Sequence, residues 1–331
     1  TLVEVTRLTL CDLFFCAVHI LQRGHKPLLS MTSKILSAHI ALIFCNIIWA
    51  CDYPFYNLVL GHYVSPLAMV TASLVVAAVL SFVPLLWERR EVIESQDRLK
   101  IVGAALLMGV ARKLCMMYGL SATSPIDGSI ISTSTPLLVL VLSVAIGIER
   151  FTKLRVVGLL MGMAGTVAII LLSNNPANEH ISLHSVALGN ILIFTSVCVS
   201  AVYMVWYKNL VAKYRVSTIL RWIYSLSAVV MLPFGAKEML AIEFRTMPSE
   251  ILWAALFVLI VPTYLPNLLL NISLRRVPPT ISSVYSYLQP VVAIGLAVAM
   301  GLDKLHADTI LFAVVVFVGV GMVIASYRYS R

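Results

Sequence analysis

Asp52, Arg112 and Lys113 are charged residues set deep inside stretches that are otherwise almost wholly apolar. If those stretches cross a bilayer, each charge costs at least a few kcal/mol at mid-membrane and needs a partner or a task. Counted from the same end of the bundle at about 1.5 Å per residue, Asp52 and Arg112 differ in depth by about 7 Å, which an Arg side chain can close. The spacing predicts an Asp52–Arg112 pair, or an Asp52–Lys113 pair, lining a central cavity. There Asp52 can take a proton or a substrate amine, and Arg112 a carboxylate through two parallel hydrogen bonds. The plainer readings are a permanent ion pair, and a Lys113 that snorkels to the interface.

Neutral polar and aromatic residues form a second set. Asn46, Trp49, Tyr53 and Tyr56 follow i, i+3, i+7, i+10, one face of a helix. Tyr264, Asn267 and Asn271 follow i, i+3, i+7, and Pro262 and Pro266 loosen the helix around them. Tyr285 and Gln289, with Ser282 and Ser286, precede Pro290, and Ser132 joins the candidate lining. Such a wall is amphipathic and carries at most one paired charge. It suits a small zwitterionic or moderately apolar metabolite, such as an amino acid, and not a multiply phosphorylated nucleotide sugar. Tyr203, Trp206 and Tyr207 read instead as an aromatic belt at the membrane interface.

The elements that would position these residues follow from composition. The 331-residue chain is 60% hydrophobic and only 12% charged, with a mean hydropathy of +0.95. Soluble domains carry about a quarter charged residues, so this is an all-α polytopic membrane protein. The net charge of +9 sits in short clusters between apolar runs, with no basic, aromatic-interleaved patch for nucleic acid. The six cysteines are scattered without a CxxC pair, so neither a disulfide framework nor a zinc site follows.

A spanning helix needs about 20 largely apolar residues. Segments 36–57, 66–87, 101–121, 127–147, 155–173, 186–207, 217–236, 250–272, 280–300 and 308–327 qualify, which predicts ten transmembrane helices. Alternate loops differ in basic residues by about five to one, with Arg89, Arg90, Arg98, Lys100, Arg150, Lys153, Lys208, Lys213, Arg275 and Arg276 all on one side. Positive charge marks the cytoplasmic face, which puts both termini in the cytoplasm. Residues 1–35 are expected to be an N-terminal extension: an upstream segment with the true start near Met31, or an interfacial helix.

Sliding the chain by 154 residues superposes Pro125 on Pro279, Ser129 on Ser283, Ser132 on Ser286, Pro136 on Pro290, Gly147 on Gly301 and Gly165 on Gly319, with Glu149 on Asp303. The repeat is five helices long. An odd number of spans returns the chain on the other side, so the second copy (186–327) is expected to be inverted relative to the first (36–173), across an external linker 174–185 and ahead of a cytoplasmic tail 328–331. Inverted repeats mark secondary transporters with a substrate site at the repeat interface. Glu149 and Asp303 close their helices as caps or gate-loop ion pairs, Glu149 with Arg150 and Asp303 with Lys304. Gly158, Gly162 and Gly165 form a close-packing helix face.

Trp49 in the first helix, Ser65-Pro66 opening the second, and Pro136…Glu149 followed by the glycine run together resemble the drug/metabolite transporter superfamily, specifically a transporter with two EamA domains. Pro290…Asp303 fits with Asp in place of the usual Glu. The Arg often found within the second helix is absent, with Ser73 near that place. The resemblance implies a carrier in the cell (inner) membrane that exports a metabolite by alternating access. Its partners would be a small-molecule substrate and the lipid bilayer, with protons as a candidate coupling ion and a homodimer as a candidate assembly. No cofactor, metal or nucleic acid is expected. No GxxxxGK[ST] phosphate loop is present to couple ATP directly. The competing classes are a membrane channel, for which no filter motif is found, and a membrane-embedded enzyme, for which no HExxH or paired-aspartate site is found.

Overall fold

A computed structural model of the chain describes residues 29–60, 63–88, 90–122, 131–172, 183–245, 247–292 and 307–327, with the side chains of 29–32, 52–54, 57, 58, 169–172, 183–186 and 307–309 left aside. The expected N-terminal segment up to residue 28, most of the 174–185 linker, Asp303 and the 328–331 tail lie outside the described residues.

The described residues are helical, with no strand among them. In chain order the helices are α1 (Leu29–Val59), α2 (Pro66–Phe82), α3 (Ser95–Ala122), α4 (Thr135–Ala145), α5 (Lys153–Leu172), α6 (Leu183–Trp206), α7 (Val216–Leu240), α8 (Ser249–Leu274), α9 (Pro279–Val284, extended by a 3-10 turn Tyr285–Tyr287) and α10 (Ala307–Ser326). A short helix Lys208–Lys213 links α6 to α7. Six of the described helices are long and apolar enough to cross a membrane. Helix is the form that satisfies every backbone group inside one segment, which hydrocarbon demands.

Local chemistry sets the ends and breaks. Ser65 caps α2, its Oγ accepting the Ala68 N–H at 3.2 Å, and Pro66 occupies the first turn where its missing N–H is harmless. Gly147 ends α4 with φ +73°, the left-handed turn a Cβ would strain, and so delivers Glu149. Inside α8, Pro262 cannot donate to the Val258 carbonyl. Thr263 Oγ1 donates to it instead at 3.0 Å, and Asn267 Nδ2 reaches the Thr263 carbonyl at 3.0 Å. Residues Ala105–Ala111 of α3 form a π-helix immediately before Arg112, a geometry that recurs at functional sites. Ser227 of α7 donates to the Ala105 carbonyl there at 3.0 Å.

The helices pack chiefly as α1 with α8, α2 with α7, α3 with α6 and α5 with α10, while α4 packs on both α6 and α9. Small residues allow the close approaches. A Cβ on Gly109 would sit 1.9 Å from Ser227 Oγ, and one on Gly319 would sit 2.7 Å from the Gly158 carbonyl. The expected glycine face thus packs on α10, except that Gly162 also receives the ring of Tyr287.

Candidate functional site

A cavity of about 150 Å³ lies among the helices, walled by both halves of the chain. From α1 come Asn46 and Trp49, from α3 Arg112 and Lys113, from α6 Ser196 and Ser200, and from α8 Asn267. Ser282, Ser286 and Gln289 close it from the α9 segment, and Ser132 from the chain before α4. Met108, Met116, Met117 and Met204 supply much of the apolar wall.

Arg112 is held at the cavity side. Its Nε donates to Ser200 Oγ at 2.8 Å, and its guanidinium stands 5.8 Å from the centroid of the Trp49 ring, within cation–π range. Ser200 in turn donates to the Ser196 carbonyl. Lys113, buried, donates to Ser73 Oγ of α2 at 2.6 Å. Gln289 Nε2 donates to Asn46 Oδ1 at 2.8 Å, while Asn46 Nδ2 donates to the Leu42 carbonyl. Asn267 Oδ1, Ser282 Oγ and Ser286 Oγ are buried and find no hydrogen-bond partner among the described residues.

Of the residues singled out from sequence, Asn46, Trp49, Tyr56, Arg112, Lys113, Ser132, Asn267, Ser282, Ser286 and Gln289 share this cavity. Three others stand among different neighbours. Asn271 accepts the Tyr203 hydroxyl at 2.7 Å, Tyr285 shares a 2.6 Å hydrogen bond with His39 Nδ1, and Tyr264 packs against Tyr224. Asp52 and Tyr53 lie on α1, but their side chains, and with them the expected Asp52–Arg112 pair, fall outside the described residues. Asp303 does too. Ser196 and Ser200 escaped notice, although their i, i+4 spacing in an apolar run was a readable signal for one polar face. Tyr203 and Tyr207, expected in an interfacial belt, instead stack at 5.7 Å, with Tyr203 fully buried.

Glu149 and Arg155 form a second polar centre, at the end of the bundle where the basic loops gather. Arg155 is 2% exposed; its guanidinium lies 3.4 Å from Glu149 Oε2, 2.6 Å from the Arg150 carbonyl and 3.8 Å from the Tyr327 ring centroid. Tyr327 also donates to Glu149, whose other oxygen accepts the Thr280 N–H at 3.2 Å. The loop after α4 thus binds the starts of α5 and α9 and the end of α10. The partner of Glu149 is Arg155, not the adjacent Arg150, because the Gly147 turn aims the carboxylate inward and leaves Arg150 exposed. Nearby, Lys213 holds Asp97 at 2.6 Å and Glu94 at 2.7 Å, and these bonds raise its pKa above the ordinary Lys value. Burial lowers that of Lys208, with Glu149 opposing.

Together the fold and its cavity define a polytopic α-helical membrane protein whose two halves meet around a small, mostly neutral polar chamber. The chain belongs to the EamA-like transporter family, whose model matches it twice, over residues 36–171 and 187–325. It is 25% identical over 185 residues to the uncharacterized transporter YetK of Bacillus subtilis (strain 168), covering 55% of this chain and 54% of that protein. To the uncharacterized transporter YyaM of the same organism it is 26% identical over 205 residues, covering 61% of this chain and 65% of that protein. The matches thus span between half and two thirds of these relatives. A protein of known crystal structure shares the fold at a TM-score of 0.67 and 16% identity, over 87% of this chain and 96% of the other.

Proposed function

We propose that this protein is a secondary active transporter that carries a small amphipathic metabolite, an amino acid or related compound, across the cell (inner) membrane by alternating access, in the direction of export. The reading includes ten spans arranged as two inverted five-helix repeats, with both termini cytoplasmic and the cavity as the substrate chamber.

The observation that carries it is the cavity's polar inventory. Asn267 Oδ1 and two serine hydroxyls without partners among the described residues face the same space as Arg112, which Ser200 and Trp49 hold in place. Buried polar atoms are nearly always satisfied, and a ligand with a carboxylate and hydrogen-bonding groups would satisfy these. The volume is below the roughly 300–1,000 Å³ of drug-sized sites, which favours a small solute. The helix packing supports the repeat in part: exchanging each helix for the one five places on turns α1–α8 into α6–α3 and returns α2–α7, α4–α9 and α5–α10 to themselves, although the α4–α6 contact has only a weaker counterpart between α9 and α1. Two copies related by a two-fold axis would give these exchanges.

The test is counterflow in proteoliposomes preloaded with single amino acids, sugars or organic cations. Saturable exchange confined to compounds with a carboxylate is expected. Exchange of cations alone would remove the amino-acid assignment, and steady unitary currents would replace the carrier by a channel.

A further inference from the structure

A second concavity, of about 720 Å³, opens between the end of α2, the loop after it, the start of α3 and the first turns of α7. It combines two chemistries. Arg90, Arg98, Arg221 and Glu91 line it together with Phe82, Trp222 and Leu226. Among the described residues the three guanidinium groups make no hydrogen bond or ion pair. The neighbouring carboxylates are already engaged. Asp97 binds Lys100, Lys213 and Tyr214, Glu91 accepts the Arg215 N–H at 2.9 Å, and Glu88 accepts the Ser217 hydroxyl. Three arginines against the one carboxylate in the lining, that of Glu91, leave the groove a local excess of positive charge, and charge complementarity calls for an anion.

The apolar part decides which kind. Trp222, Leu226 and Val229 follow i, i+4, i+7 along α7, and Trp222 and Val229 are 44% and 66% exposed. The stripe leads from the arginines along the spanning helix, where acyl chains run. A soluble anion or an acidic peptide would gain nothing from it. We propose that the groove binds an anionic phospholipid, the phosphate among Arg90, Arg98 and Arg221 and one acyl chain along Trp222, Leu226 and Val229. Bound there, the lipid would bridge the start of α3, which leads into the π-helix before Arg112, to α7.

The whole protein in phosphatidylcholine nanodiscs tests this, with either brominated phosphatidylglycerol or brominated phosphatidylcholine added at the same mole fraction. Bromine quenches tryptophan on contact, and the part due to Trp222 is the difference from Trp222→Phe. We expect phosphatidylglycerol to be preferred by about fivefold for each arginine engaged, and the variant Arg90→Gln/Arg98→Gln/Arg221→Gln to lose the preference. Equal quenching of the wild type by the two lipids overturns the proposal without any need for the variant to fold. Loss of the preference on adding inorganic phosphate equal in amount to the anionic headgroups, at constant ionic strength, also overturns it, in favour of a free-anion site. Counterflow of substrate, measured separately, bears on the transport reading and not on this one.

Discussion

Gln289 Nε2 donates to Asn46 Oδ1 at 2.8 Å, so that one residue from each half of the chain closes the same wall of the cavity. Asn46 spends its own amide on the Leu42 carbonyl, which fixes its oxygen toward Gln289. Gln289→Leu keeps the volume and deletes the bond. It is expected to cost about 1 kcal/mol of stability and to lower counterflow several-fold. A variant with wild-type melting and wild-type flux would show that this bond is dispensable to both packing and transport.

Arg112 presents a planar, forked cation beside Trp49. Arg112→Lys keeps the charge but loses the fork and the stacking. Carboxylate-bearing substrates should lose about tenfold or more in apparent affinity, the worth of one charge-assisted bond of about 1.5–3 kcal/mol. Substrate-induced thermal shifts measure this directly; an unchanged affinity removes Arg112 from recognition.

Asp52 is proposed from the sequence as a proton carrier. If it is one, Asp52→Asn will abolish the pH dependence of flux while exchange of preloaded substrate persists. The measurement is counterflow and net flux at acidic and alkaline pH. Flux and pH profile both equal to wild type would end the proton role.

Glu149 and Arg155 are a buried pair, and removing one partner strands the other. Glu149→Ala leaves a 2% exposed guanidinium without its carboxylate and is expected to cost about 3–5 kcal/mol. The double variant Glu149→Ala/Arg155→Met should regain much of that loss in thermal unfolding. If the double change costs as much as the sum of the single ones, the two side chains are not coupled.

Gly319 and Gly321 lie two residues apart on α10 with opposite surroundings. A Cβ on Gly319 would meet the Gly162 nitrogen at 2.6 Å and the Gly158 carbonyl at 2.7 Å, both backbone; at Gly321 nothing lies within 4 Å. Gly319→Ala must push α5 and α10 apart and should cost about 1–3 kcal/mol, whereas Gly321→Ala should be neutral or slightly stabilising. Equal melting points would mean that α5 and α10 do not pack so closely.

What could be read from the residues in order is what depends on local or periodic properties. Length and hydropathy of each apolar run require helices, because hydrocarbon leaves the backbone no other way to bond. The paired prolines, serines and glycines identify two copies of one unit, and the Gly158–Gly165 spacing identifies a face for close packing. The i, i+3 pattern of Asn46 and Trp49 places them on one wall.

The rest depended on distances the sequence does not contain. Asn267 and Asn271 lie one turn apart on α8 and look equivalent, yet Asn267 reaches the cavity while Asn271 is taken by Tyr203 from α6. Glu149 bypasses its neighbour Arg150 for Arg155 because a glycine turn reverses its direction. The π-helix before Arg112 and the serines of α6 that hold it are paired only once α3, α6 and α7 are packed together. Hydropathy is a property of single segments and survives in the sequence, whereas the partner of a buried polar atom is settled by which helix lies across from it.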